Sequence, residues 1–99
     1  MKTLETICED IINIEEGLMF GTIEFRYDNL MSAMKPGHPM EILDSILANI
    51  YFDVIKKQEI PAEKLESVIE QLESFQEAFQ VKELAKPIRE MKQHLKEKK

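Results

Sequence analysis

The side chains that could carry out chemistry in this sequence are mainly carboxylates. Glu15, Glu16 and Asp44 are candidates for acids buried between helices, where a carboxyl group could exchange a proton with a substrate. Glycine-rich phosphate loops, paired zinc cysteines and a G-x-S-x-G nucleophile elbow are absent. An enzyme that relies on these carboxylates is therefore the third and weakest functional hypothesis.

The sequence offers no set of metal ligands with a known spacing. Helical di-metal proteins need inward carboxylates together with Glu-x-x-His pairs, whereas this chain has two histidines, and Glu90 precedes His94 by four residues without a second copy. Cys8 lies on an apolar helical stripe with no basic neighbour to lower its pKa, so we interpret it as a small core residue. We expect no catalytic residue, no metal and no cofactor.

A row of glutamates is the most regular polar feature of the chain. Its members repeat at three- and four-residue intervals, so they share one side of a helix: Glu63, Glu66, Glu70, Glu73 and Glu77. Like charges at this spacing cost a few tenths of a kcal/mol per pair, and no Lys or Arg interrupts the row. Such a row is either a solvated surface or a contact for a basic partner. Small side chains occupy an adjacent side and would allow another helix to approach closely: Ser67, Gln71, Ser74 and Ala78.

The charge of the chain is unevenly distributed. The net charge is −6. Residues 1–81 contain 6 basic and 16 acidic residues, whereas residues 82–99 contain 7 basic and 3 acidic ones. The sequence thus predicts an acidic body followed by a basic C-terminal helix at 82–99. The two could pair with each other, within or between copies, or could form separate contact surfaces.

The segment from Met40 to Lys57 predicts the helix around which the others pack. Its apolar residues occupy about half of the helix circumference, which is too wide for a single neighbour: Met40, Leu43, Ile46, Leu47, Ile50, Tyr51, Val54 and Ile55. Since 99 residues are enough for one modest core, we predict a single all-α domain, 1–99.

Helical periodicity and capping residues predict a bundle of four to five helices. Their expected bounds are about 3–16, 18–34, 39–57, 61–80 and 86–97. The segment 18–34 is the least regular, and its alternative is a strand at 22–27, where apolar and polar residues alternate. The apolar stripe changes its direction after Phe79, and Pro87 follows, so we expect a kink or break between Gln80 and Pro87.

The absence of reactive residues favours a non-enzymatic protein. We predict a small cytoplasmic interaction module that regulates, inhibits, neutralises or chaperones a partner protein, in the manner of antitoxins or immunity proteins, through acidic and apolar helix faces. Ile42 and Phe52 project from the otherwise polar side of the central helix and are the apolar candidates for this contact. The acidic candidates are Glu66, Glu70, Glu73 and Glu77.

The expected partner is a protein, and the glutamate row favours a basic one. We also expect self-association, with a dimer favoured, because a chain of this size buries a limited core. The alternative is a nucleic-acid-associated regulator, for which the C-terminal lysines supply the cationic surface. That surface is confined to the last eighteen residues, so nucleic acid ranks below protein. The N-terminal sequence lacks the apolar run of a signal peptide, and no segment is apolar enough to predict a membrane span.

Overall fold

The computed structural model describes residues 2–26 and 38–98, and within these ranges it contains α-helices and no strand. This confirms the predicted all-α class. The helices are α1 Leu4–Phe20, α2 Pro39–Ile55, α3 Ala62–Phe79 and α4 Ala85–Lys98, with a 3-10 turn, Lys82–Leu84, before α4.

Helix α1 begins where the sequence predicts and ends later. Thr3 is the N-cap, and its hydroxyl oxygen accepts a hydrogen bond from the backbone N–H of Thr6 at 3.2 Å. The predicted end near residue 16 is wrong, because α1 passes through Gly17 and continues to Phe20. Gly21 then adopts a left-handed conformation with φ 78° and closes the helix.

The expected second helix, 18–34, is wrong over the part that the structure describes. Residues 18–20 belong to α1, and residues 21–26 are neither a helix nor the alternative strand. The carbonyl of Gly17 accepts backbone hydrogen bonds from Thr22 and Ile23, which turns the chain back against α1. The remaining residues of this prediction, 27–34, lie outside the described ranges.

Helix α2 begins at the predicted proline. Pro39 occupies the first turn, and Nδ1 of His38 accepts a hydrogen bond from the backbone N–H of Met40 at 3.1 Å. His38 is therefore the N-cap of α2. The helix ends at Ile55, two residues before the predicted boundary, and Lys56 and Lys57 form a turn.

The predicted break between the last two helices is confirmed. Gln80 ends α3 with φ 53°, Val81 is extended, and the 3-10 turn leads into α4. Pro87 lies in the first turn of α4, where the missing backbone N–H has no helical acceptor in any case.

The four helices form an antiparallel bundle in which α2 packs against α1 and α3, and α4 closes the arrangement against α3 and α1. Polar contacts show the alternating directions. Lys64 at the start of α3 pairs with Asp53 at the end of α2, and His94 near the end of α4 hydrogen-bonds the carbonyl of Lys2 ahead of α1. Helices α1 and α3 are diagonal to one another, as are α2 and α4.

The core extends through all four helices. Leu43, Ile46, Leu47, Ile50 and Val54 of α2 are buried, as predicted for the central helix. Met40 and Tyr51 are partly buried at its margin. Ile55 is expected in the same buried face but is 45% exposed, because it is the last residue of the helix. Cys8 is fully buried, which confirms its interpretation as a core residue.

Candidate functional site

A groove between α2 and α3 is a concave surface formed by two acidic helices. It has a volume of about 480 Å³. Its α2 side is formed by Ile42 and Ile46, and its α3 side includes the aromatic rings of Phe75 and Phe79, which lie 4.7 Å apart between centroids. The floor of the groove is therefore apolar.

Short side chains on α3 keep the groove open. The outward side of α3 next to α2 carries Ser67, Ser74 and Ala78, with Gln71 between them. These side chains do not reach across to α2, so the surface is indented between the two helices. The sequence indicated that another helix could approach here. Within residues 2–26 and 38–98 no such helix covers this side.

The members of the glutamate row lie in different surroundings. Glu70 lines the groove, whereas Glu73 faces α4, where its Oε2 atom lies 2.7 Å from Nζ of Lys92. Glu66 is half-buried, and Glu77 and Glu63 are exposed. The row is therefore not a single uniform surface, because one of its members is engaged by the basic helix of the same chain.

The two helices that form the groove are strongly acidic. Together α2 and α3 contain eight acidic residues and one lysine, a formal charge of −7. That lysine, Lys64, is 2.9 Å from Oδ2 of Asp53. A cationic ligand would thus be attracted to this side of the molecule, and salt would screen the attraction.

The two apolar candidates of α2 occupy different places. Ile42 is partly buried and lines the groove together with Glu70. Phe52 is 61% exposed on the outer side of α2, outside the groove, and its ring contacts that of Tyr51 at a centroid distance of 6.0 Å. The structure therefore brings Ile42 and Glu70 together and separates them from Phe52.

The residues of the groove floor were missed as site residues in the sequence. Ile46, Phe75 and Phe79 follow the periodicity of core positions, and each is indeed buried. The signal that could have identified them is their position beside the small side chains of α3. Where the neighbouring surface residue is a Ser or Ala, its short side chain does not cover the adjacent core residue, which can then line a groove.

Glu15 is a buried acid at the interface of α1 and α2. Its side chain faces Asp44, and its Oε1 atom is buried without a hydrogen-bond partner among the described residues. Burial raises the pKa of Glu15 to about 7, and the charge of Asp44 acts in the same direction. Glu16 is exposed. Two of the three predicted carboxylates thus come together, and the pair can hold a proton at neutral pH.

Several side chains of the basic helix α4 form ion pairs or hydrogen bonds with other parts of the same chain. Lys92 binds Glu73, while Glu90 lies 3.6 Å from Nζ of Lys2. The imidazole of His94 hydrogen-bonds the carbonyl of Lys2. Glu90 and His94 therefore join α4 to the N-terminal end of α1. In the part of the chain that the structure describes, no three His, Cys, Asp or Glu side chains form a metal-binding group.

No protein family, curated protein or solved structure matches this chain. Among the described helices, none has both the length and the apolar character needed to cross a membrane.

Proposed function

We propose that this protein is a non-enzymatic, cytoplasmic interaction module that binds an amphipathic helix with basic flanks, supplied by a partner protein, in the groove between α2 and α3. The observation that carries the proposal is the apolar floor at Ile42, Ile46 and Phe75 between two helices whose formal charge is −7.

The shape of the groove suits a helix. An amphipathic helix laid in a groove inserts apolar side chains spaced by three, four and seven residues. The short side chains of Ser67, Ser74 and Ala78 leave room for such residues along several turns of α3. Burial of the guest side chains against the floor would supply most of the affinity.

The charge of the groove specifies the flanks of the guest helix. Glu70 lies at the groove, and Glu77 is exposed about two turns further along α3. Lysine or arginine residues beside the apolar stripe of the guest would meet these carboxylates. Exposed pairs of this kind add little affinity each, but they raise the association rate and disfavour acidic helices.

A synthetic peptide tests this proposal without knowledge of the natural partner. The probe is a fluorescently labelled Leu/Lys peptide of about 18 residues with helical spacing of the leucines, compared with a scrambled peptide of the same composition. We expect saturable binding of the first peptide by fluorescence anisotropy, weakened by salt. NMR shift changes should centre on Ile42, Ser74 and Ala78.

Two substitutions in the groove, each compared with a control substitution elsewhere, locate the binding site. Ser74→Trp should fill the groove and weaken binding about 10-fold or more, whereas Gln93→Trp on the outer side of α4 should leave it unchanged. Glu70→Lys should weaken binding and reduce its salt dependence, while Glu16→Lys, which makes the same charge change on α1, should have a smaller effect. Equal binding of the scrambled peptide, or binding that survives Ser74→Trp, would contradict the proposal.

A further inference from the structure

A second surface lies on the outer side of α2 and is formed by residues that face away from the core. They repeat at four- and three-residue intervals and are all exposed: Glu41, Ser45, Ala48, Phe52 and Ile55. We call this row the outer seam. Its spacing is that of one strand of a two-helix coiled coil. The groove residues Ile42 and Ile46 lie on the side of α2 that faces α3, so the outer seam is a separate surface.

We propose that the outer seam pairs with the outer seam of a second copy of this chain, with the two α2 helices antiparallel, to form a two-fold symmetric dimer. This inference does not depend on the proposed peptide-binding groove. Such a contact is isologous, so the seam must be complementary to itself.

The sizes of the seam residues provide the first part of this complementarity. The large side chains, Phe52 and Ile55, lie at the C-terminal end, and the small ones, Ser45 and Ala48, lie near the middle. Antiparallel pairing places Phe52 of one copy over Ser45 of the other and brings the two Ala48 residues close to the two-fold axis. Parallel pairing would place Phe52 against Phe52 and leave the small residues facing each other across a gap.

The polar groups of the seam fit the same arrangement. The hydroxyl of Ser45 donates to the carbonyl of Glu41 at 3.1 Å, so it needs no partner when a phenyl ring covers it. The register that places Phe52 over Ser45 also places Glu41 beside Lys56 of the second copy. Opposite charges thus meet at both ends of the contact.

The expected dimer is weak. A single pair of helices buries less than the roughly 800 Å² per partner of a standard interface. We therefore expect a monomer at high dilution and a dimer at high protein concentration.

Sedimentation velocity over a range of concentrations provides the first test. The unmodified protein should show reversible dimerisation, and Phe52→Ala should weaken it about 10-fold or more, since Phe52 is the large anchor of the seam. Phe20→Ala is the matched control, because Phe20 is also an exposed phenylalanine, 73% exposed, but lies on α1. A protein that stays monomeric at high concentration, or equal effects of the two substitutions, would overturn the proposal.

Cysteine cross-linking tests the position of the two-fold axis. Ala48→Cys should form an intermolecular disulfide under mild oxidation faster than Gln93→Cys on α4. The native thiol does not interfere, because Cys8 is fully buried and burial raises its pKa to about 12. Equal rates for the two variants would contradict a seam centred on Ala48.

A charge exchange tests the direction of pairing. Glu41→Lys and Lys56→Glu should each weaken self-association, and an equimolar mixture of the two variants should restore it, since both end pairs then become Lys with Glu. A mixture that associates no better than the separate variants would exclude the antiparallel register.

Discussion

Glu15 illustrates how one residue can make the stability of the fold depend on pH. The residue is 7% exposed between α1 and α2, one of its carboxyl oxygens has no hydrogen-bond partner among the described residues, and Asp44 lies opposite. Each of these conditions favours the protonated form, which raises the pKa of Glu15 from its ordinary value of 4.5 to about 7.

The sign of the resulting pH dependence is determined by which state holds the proton. Between about pH 4.5 and pH 7 the folded protein keeps the proton on Glu15 and the unfolded chain loses it. The contribution of Glu15 to the free energy of unfolding therefore falls as the pH rises through this range, by up to about 3 kcal/mol. Above about pH 7 the loss is complete.

Replacement of this carboxyl group by an amide removes the titration. We expect Glu15→Gln to be more stable than the unmodified protein at pH 8 by about 1 to 3 kcal/mol and close to it at pH 4.5. The measurement is urea unfolding followed by circular dichroism at both pH values. Glu16→Gln is the matched control, because Glu16 is exposed on the same turn. If the free energy of unfolding changed between pH 4.5 and pH 8 by the same amount in Glu15→Gln as in the unmodified protein, the pKa assigned to Glu15 would be contradicted.

At the scale of the helices, the C-caps of α1 and α3 are both left-handed residues. Gly21 closes α1 with φ 78°, and Gln80 closes α3 with φ 53°. Glycine adopts this conformation without steric cost, whereas glutamine does not. The backbone N–H of Gln80 donates to the carbonyl of Gln76 at 2.7 Å, so the left-handed conformation is part of the cap.

The two caps predict substitutions with opposite effects. Gln80→Gly should raise the free energy of unfolding by about 0.5 to 1 kcal/mol, and Gly21→Ala should lower it by about 1 kcal/mol. Among the described residues, nothing beyond the adjoining backbone lies within 4 Å of the position that the new Cβ at Gly21 would take, so its cost is conformational rather than steric. Thermal and urea unfolding measure both effects. Destabilisation by Gln80→Gly would show that the Gln80 side chain contributes more than its backbone strain costs.

Helix boundaries were predictable where local residues determine them. Pro39 after a turn indicates the start of α2, and the changed direction of the apolar stripe after Phe79 indicates the break before α4. The predicted end of α1 near residue 16 is wrong because the role of Gly17, inside the helix, is tertiary. A Cβ there would lie 2.4 Å from Cδ1 of Ile23, so the absence of a side chain makes room for the returning segment. Periodicity along one helix does not reveal such a contact.

The composition of the groove could also be predicted only in part from the sequence. The sequence indicates small residues beside an acidic row on α3, and the structure places Ile42, Ile46 and Glu70 with them. Which glutamates face the groove depends on the positions of the neighbouring helices, which a single helix cannot specify. Glu73 is turned towards Lys92, nineteen positions further along the chain, and so belongs to the α3–α4 contact.

At the scale of the whole molecule, the acidic body and the basic helix are joined within one bundle. Lys92 reaches Glu73 on α3, and Lys2 ahead of α1 lies near Glu90 on α4. These pairs are partly exposed, so they orient α4 more than they stabilise it. The stability of the bundle comes instead from the core that α2 shares with its neighbours.

A pair of isoleucines on α2 tests this view of the core. Ile50 is fully buried, whereas Ile55 is 45% exposed on the same helix. We expect Ile50→Ala to lower the free energy of unfolding by about 2 to 5 kcal/mol, because it removes apolar contacts and leaves a cavity. That is a large part of the roughly 5 to 15 kcal/mol that stabilise a typical domain. Ile55→Ala should cost less than about 1 kcal/mol.

Urea unfolding at low protein concentration, where the proposed dimer is dissociated, measures both isoleucine variants on the monomer. A two-state bundle should lose its helical signal from all four helices in one transition, shifted to lower urea in Ile50→Ala. Equal losses of stability in the two variants would mean that α2 is not the helix on which the others depend. A transition that separates into two steps in Ile50→Ala would mean that α4 and α3 hold together without α2.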